Sequence, residues 1–159
     1  MEELLEYRSS LVEGLGEINQ DIKRVIVDLP VQSLHSPWVK GTITPHQLLA
    51  HLRLVELEIF APRIHRILEE NQPYLDLFED EYWMQASYNP AEPVEDILLD
   101  YEQARHQEIT EIEHMPISAW NRTGRHPWFG VRTLQWWVEL CLTYSRERLS
   151  WLRAGPPQR

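Results

Sequence analysis

An all-α four-helix bundle with long connections is the fold this sequence predicts, and three observations predict it. Apolar residues recur at three- and four-residue spacing in four long segments. These segments start or stop on caps and breakers, and alternating strand-like patterning is nearly absent. With 159 residues, 43% of them hydrophobic and seven of them Trp, the chain has material for one core, so residues 1–159 are read as a single domain.

The first helix is expected from about Glu2 to Asp28, with Leu4, Leu5, Leu11, Leu15, Ile18, Ile22, Val25, Ile26 and Leu29 turned inward, before Pro30 ends it. Gly14 and Gly16 weaken it locally. A loop over Ser33 to Gly41 follows, containing Pro37 and Trp38. The second helix opens on Thr44 as N-cap, with Pro45 at the first helical position and Gln47 three residues after the cap. It is expected to run to about Asn71 on a stripe of Leu48, Leu52, Val55 and Ile59, widened by Leu49, Phe60 and Ile67, with Pro62 kinking it or removing one backbone bond.

The segment QPYLDLFEDEYWMQASYNP reads as an ordered acidic and aromatic connection with one short helix around Asp80 to Ala86. A third helix begins between Asn89 and Pro93 and ends before Pro116, burying Val94, Ile97, Leu98, Tyr101, Ala104, Ile109 and Ile112. After a turn-rich linker containing Trp120 and TGRHPWFG, the fourth helix runs from Thr133 to Ala154 and closes on Gly155, Pro156 and Pro157. No repeat or low-complexity segment is evident.

A net charge of −10 disfavours nucleic acid and anionic membrane surfaces as partners, because both require a basic face. Arg146, Arg148 and Arg153 are interspersed with Leu and Trp and form no patch. No apolar run is long enough to span a bilayer, and the acidic start MEELLEYRSS does not read as an export signal, so the expected location is cytoplasmic. A lone Cys141 on the apolar face of the fourth helix reads as a small buried hydrophobe.

The segments ITPHQLLAHLRLVELEIFAPRIHRIL, NQPYLDLFEDEYW and SAWNRTGRHPWFGVRTLQWW, followed by the terminal helix, resemble in order and spacing the DinB-like (DinB/YfiT) superfamily of four-helix bundles. The resemblance covers nearly the whole chain. It implies a divalent metal held by one histidine on the second helix and a His-x-x-x-His pair on the fourth, and activity as a metal-dependent hydrolase or thiol-dependent transferase. His51 matches the first ligand and Glu56 an acidic position a little further along. The pair is replaced: the chain reads Tyr144-Ser145-Arg146-Glu147-Arg148.

Two imidazoles at i and i+4 grip a cation through neutral lone pairs. A guanidinium has no acceptor and stays charged, and a neutral phenol is a poor ligand, so no metal or other cofactor is expected at this position. His51, Glu56, Tyr144 and Arg148 are therefore candidate binding residues, with no catalytic residue assigned. His51 lies about 60° from Leu48 around the helix, so the reading of a core-edge histidine stays open beside a ligand-binding one. Tyr144 reads equally as core. Arg148 shares a face with Trp137, Cys141, Tyr144 and Trp151, so it either snorkels or needs a carboxylate, with Glu56 or Glu58 the expected partner. His46 and His65 read as solvated, beside Arg63 and Arg66 in the latter case. His106 reads as polar-faced, His114 as favoured by the helix dipole, His126 as a loop residue without a role, and FEDEYW as a solvated link.

Three functions fit: a metal-free bundle binding a small molecule in its pocket, a hydrolase or thiol transferase with a rearranged metal site, or a non-enzymatic protein whose aromatic surplus serves a homodimer interface.

Overall fold

The structure, a computed structural model, describes residues 1–85 and 87–158, apart from the side chains of residues 81–83. The expected end of the short helix at Ala86 lies outside the described residues. Four helical rods carry the fold: α1 (Glu2–Asp28), a second rod made of α3 (Pro45–Val55), a π-helical turn (Glu56–Phe60) and α4 (Ala61–Glu69), then α6 (Val94–His114) and α7 (Leu134–Arg153). Short helices α2 (Val31–Leu34) and α5 (Asp80–Gln85) lie in the connections.

Threonine caps open the second and last rods, and the first of them is the one the sequence predicts. The Thr44 hydroxyl accepts from the Gln47 N–H at 3.0 Å, and the Thr133 hydroxyl accepts from the Trp136 N–H at 3.2 Å. Pro62 does not bend the second rod by a simple break. It follows a π turn in which the Ala61 N–H bonds five residues back to the Glu56 carbonyl, a wider loop that absorbs the lost donor and the bulk of the ring.

Helix α1 packs on α6 and α7, and the second rod packs on the same two, so α1 and the second rod face each other across the core. The rods joined by 29–44 and by 115–133 are thus diagonal partners, which is why those two connections must be long. Leu15, Ile22, Leu48, Leu49, Ile64, Ile67, Leu134 and Trp137 are at most 1% exposed at the centre, each stabilising the fold by roughly 1.5–3 kcal/mol. Gly14 serves packing: a Cβ there would stand 3.1 Å from Leu142 Cδ2, so its absence lets α1 and α7 approach. Leu4 and Leu5, expected inside, are 41% and 40% exposed because the first turn of α1 extends past the core.

The linker expected to be irregular forms a hairpin instead. A 3-10 turn (Ile117–Asn121) leads into β1 (Thr123–His126), paired antiparallel with β2 (Gly130–Thr133). Four-residue strands are too short for alternation to be visible in sequence. The three-residue loop ends at Gly130, whose φ of +69° is the left-handed position such loops favour. His126 has a structural role: its ring, 3% exposed, accepts the Trp128 and Phe129 N–H groups at Nδ1, at 3.1 and 3.3 Å. Burial, then the nearby Arg63 charge, lowers its pKa and keeps that nitrogen an acceptor.

Candidate functional site

His51 projects from the middle of α3, and Tyr144 and Arg148 lie one turn apart on α7, so the side chains that sequence alignment brings together meet in space. His51 Nε2 stands 2.7 Å from the Tyr144 hydroxyl. Between them and Arg148 sits a residue the sequence reading had assigned to a solvated link: Asp80, the first residue of α5. Its Oδ1 accepts from the Tyr144 hydroxyl at 2.6 Å and from His51 Nε2 at 2.9 Å, and its Oδ2 accepts from Arg148 Nη2 at 3.0 Å.

The expected partner of Arg148 is thereby corrected. Asp80 holds it, with Glu147 taking Nη1 at 3.2 Å, whereas Glu58 is exposed and Glu56 is engaged elsewhere. Nor does Arg148 snorkel: it is 6% exposed, its guanidinium carbon 3.4 Å from the Tyr144 ring centroid and 4.7 Å from that of Trp151. These aromatic faces offset part of its desolvation.

The site electrostatics follow from this convergence. Burial pushes the Asp80 carboxyl upward, but the hydrogen bonds from His51 and Tyr144 and the Arg148 charge outweigh it, holding the pKa well below the usual carboxylate range. Burial raises the Tyr144 phenol far above its ordinary value; Arg148 opposes this and the Asp80 charge adds to it. His51 is 2% exposed, and its Nδ1 has no hydrogen-bond partner among the described residues. Phe78 stacks on His51 at 6.2 Å, and Phe60 meets Tyr144 edge-on at 5.3 Å, giving the polar centre apolar walls. A cleft of about 170 Å³ with His51, Arg53, Met84 and Tyr88 in its wall opens beside it.

Glu56 belongs to a second polar cluster deeper in the bundle. It is 1% exposed and accepts from Arg105 Nη2 at 3.2 Å, and none of its described hydrogen bonds involves His51, Tyr144 or Arg148. Arg105, next to the His106 read as polar-faced, is 2% exposed and also reaches Ser145 Oγ and the Leu15 carbonyl, each at 3.2 Å. Beside it lie Glu108 and Cys141. Burial, then the facing Glu56 charge and a hydrogen bond to Glu56, push the Glu108 carboxyl well above the usual carboxylate range. Burial raises the Cys141 thiol as well; Arg105 opposes this, and Glu108 and Glu56 reinforce it. Cys141 is buried as expected, though among acids.

Two further expectations change. His46 is 1% exposed, its Nδ1 accepting from the Tyr88 hydroxyl at 2.6 Å and its Nε2 donating to the Glu92 carbonyl at 2.7 Å, so it anchors the connection that precedes α6. Arg63 is 8% exposed, donates to the Asp76 carbonyl at 2.7 Å, and has its pKa lowered to about 10 by burial. His65 is exposed, and its bond to Glu111 raises its pKa.

The metal that the family resemblance implies does not fit the first cluster. The cluster offers one imidazole and the Asp80 carboxylate beside a phenol of raised pKa and a guanidinium, short of three ligands, and the carboxylate is already paired with Arg148. Among the described residues, ligand atoms of Glu56, Glu108 and Cys141, and of His65, Glu69 and Glu111, lie within 4.8 Å of one another. The former set already has the Arg105 guanidinium as its cation. No described helix is long and apolar enough to cross a membrane.

No protein-family model matches the chain, and no curated protein matches it. Among solved structures it is similar to YfiT from Bacillus subtilis, described as a probable metal-dependent hydrolase with an unusual four-helix bundle topology, at 16% identity and a TM-score of 0.83 over 94% of this chain and 85% of that one. At that identity the likeness carries the fold, and the chain is a four-helix bundle of YfiT type over nearly its whole length.

Proposed function

We propose that this chain is a metal-free binding protein on a YfiT-type bundle, taking a small molecule where His51, Tyr144 and Arg148 converge. The observation that carries this reading is Arg148 itself, 6% exposed and ion-paired at a position where the sequence resemblance implies a metal-binding histidine. A permanent positive charge there opposes a dication and attracts polar or anionic groups.

The pKa shifts favour binding over acid–base chemistry. Efficient proton transfer needs groups poised near the working pH, yet Asp80 is displaced far to the acid side and Tyr144 far to the basic side. Elemental analysis of protein purified without a histidine tag is expected to give well under one equivalent of zinc, nickel or manganese. Close to one equivalent, lost on His51→Ala, overturns the reading.

A second reading, a metal-dependent hydrolase with rearranged ligands, draws on the proximity of Glu56, Glu108 and Cys141 and on the description of YfiT. Bound metal that survives His51→Ala but is lost on Cys141→Ser would favour it.

A further inference from the structure

The Asp80 carboxylate is bound as a ligand would be. Its three donors come from two separate rods, a phenol and an imidazole on one oxygen and a guanidinium on the other. The donor set stands on the rigid bundle, whereas the acceptor stands on the 70–93 connection. That connection is anchored on both sides of Asp80. Before it, Leu75 and Arg125 exchange backbone bonds with each other's neighbourhood at 2.7 and 2.8 Å, and Arg63 holds the Asp76 carbonyl. After it, Tyr88 and Glu92 are fixed by His46 and Arg53.

We propose that the His51–Tyr144–Arg148 centre is a carboxylate-binding site, and that Asp80 is a resident carboxylate which a small-molecule carboxylate with an apolar body displaces. This rests on the binding function proposed above and names its ligand class. Three features support the class. The donors match the two oxygens of one planar carboxylate, with the guanidinium on one and the imidazole and phenol on the other. Phe60 and Phe78 wall the centre with apolar surface, suited to an aryl or short alkyl body. Asp80 keeps a side-chain exposure of 37%, so the acceptor side faces an approach route while the donors stay buried.

Because Asp80 is tethered, it competes at a high effective concentration, and wild-type protein is expected to bind external carboxylates weakly. Removing the tethered competitor unmasks the donors. Isothermal titration with benzoate is expected to show at least tenfold tighter binding to Asp80→Ala than to wild type, with benzamide at least tenfold weaker than benzoate on the same variant. Adding Arg148→Met to Asp80→Ala is expected to abolish the benzoate signal. Asp80→Asn, which keeps the side-chain shape without its charge, repeats the test if the alanine variant folds poorly.

Equal binding of benzamide and benzoate, or preference for inorganic phosphate, would sink the carboxylate assignment while leaving a small-molecule site in place. A folded Asp80 variant that binds none of the three probes overturns this proposal, making Asp80 a structural latch. If that variant instead acquires stoichiometric metal, the binding function proposed above falls with it.

Discussion

At the residue scale the side chain that organises the site is Asp80, and its titration sets a pH signature. Its folded pKa is depressed, so its contribution is fully present above the unfolded value of about 3.9 and is lost as pH falls through the folded pKa. Asp80→Asn is therefore expected to flatten the acid limb of stability below about pH 4, as read by thermal melts between pH 2 and 6. Arg148→Ala is expected to cost about 1–2 kcal/mol in urea unfolding, toward the lower end for a broken ion pair, because Asp80 is partly exposed and water can replace the lost donor. Glu108 titrates in the opposite sense. A buried carboxyl with a raised pKa holds its proton in the folded state, so stability is lost as pH rises above about 4.3, the unfolded value. Glu108→Gln is expected to gain stability relative to wild type as pH is raised from 5 to 8. A constant difference across that range would place the proton elsewhere in the cluster.

At the scale of elements, α1 and α7 meet through a gap left by a missing side chain. Gly14→Val is expected to destabilise by about 1–3 kcal/mol in chemical denaturation, since the Cβ alone already presses Leu142 at 3.1 Å and Arg146 at 3.3 Å. The helix start at Thr44 was legible because a cap is a local event, spanning three residues between hydroxyl and N–H, whereas the Thr133 cap emerged only in the structure. The hairpin at 123–133 was not legible. Its pairing is short, and its turn is completed by the His126 ring, a contact that composition does not announce. The π turn at Glu56–Phe60 lay between: Pro62 announced an irregularity, but only the folded rod shows it resolved by an added residue rather than a break.

At the scale of the molecule one side chain joins all four rods. Arg105 on α6 donates to the Leu15 carbonyl on α1, to Glu56 on the second rod and to Ser145 on α7. Arg105→Met leaves the buried Glu56 without its ion-pair partner and is expected to cost about 3–5 kcal/mol, whereas a paired Glu56→Leu and Arg105→Met replacement should cost far less. Urea unfolding of the two variants separates these outcomes, and additivity would mean the pair does not interact.

By itself the sequence determined the number and approximate bounds of the four rods, because helical periodicity and caps are written within a few residues of where they act; the meeting of His51, Tyr144 and Arg148 was implied by the family resemblance and not by any spacing along the chain. Tertiary structure alone decided which carboxylates those helices use. Asp80 lies 29, 64 and 68 residues from the three side chains it joins, and Arg105 lies 49 residues from Glu56. An ion pair requires only that two charges meet after the chain has folded, so no spacing rule along the chain records it, and a residue that looks solvated in a connection can become the centre of the site.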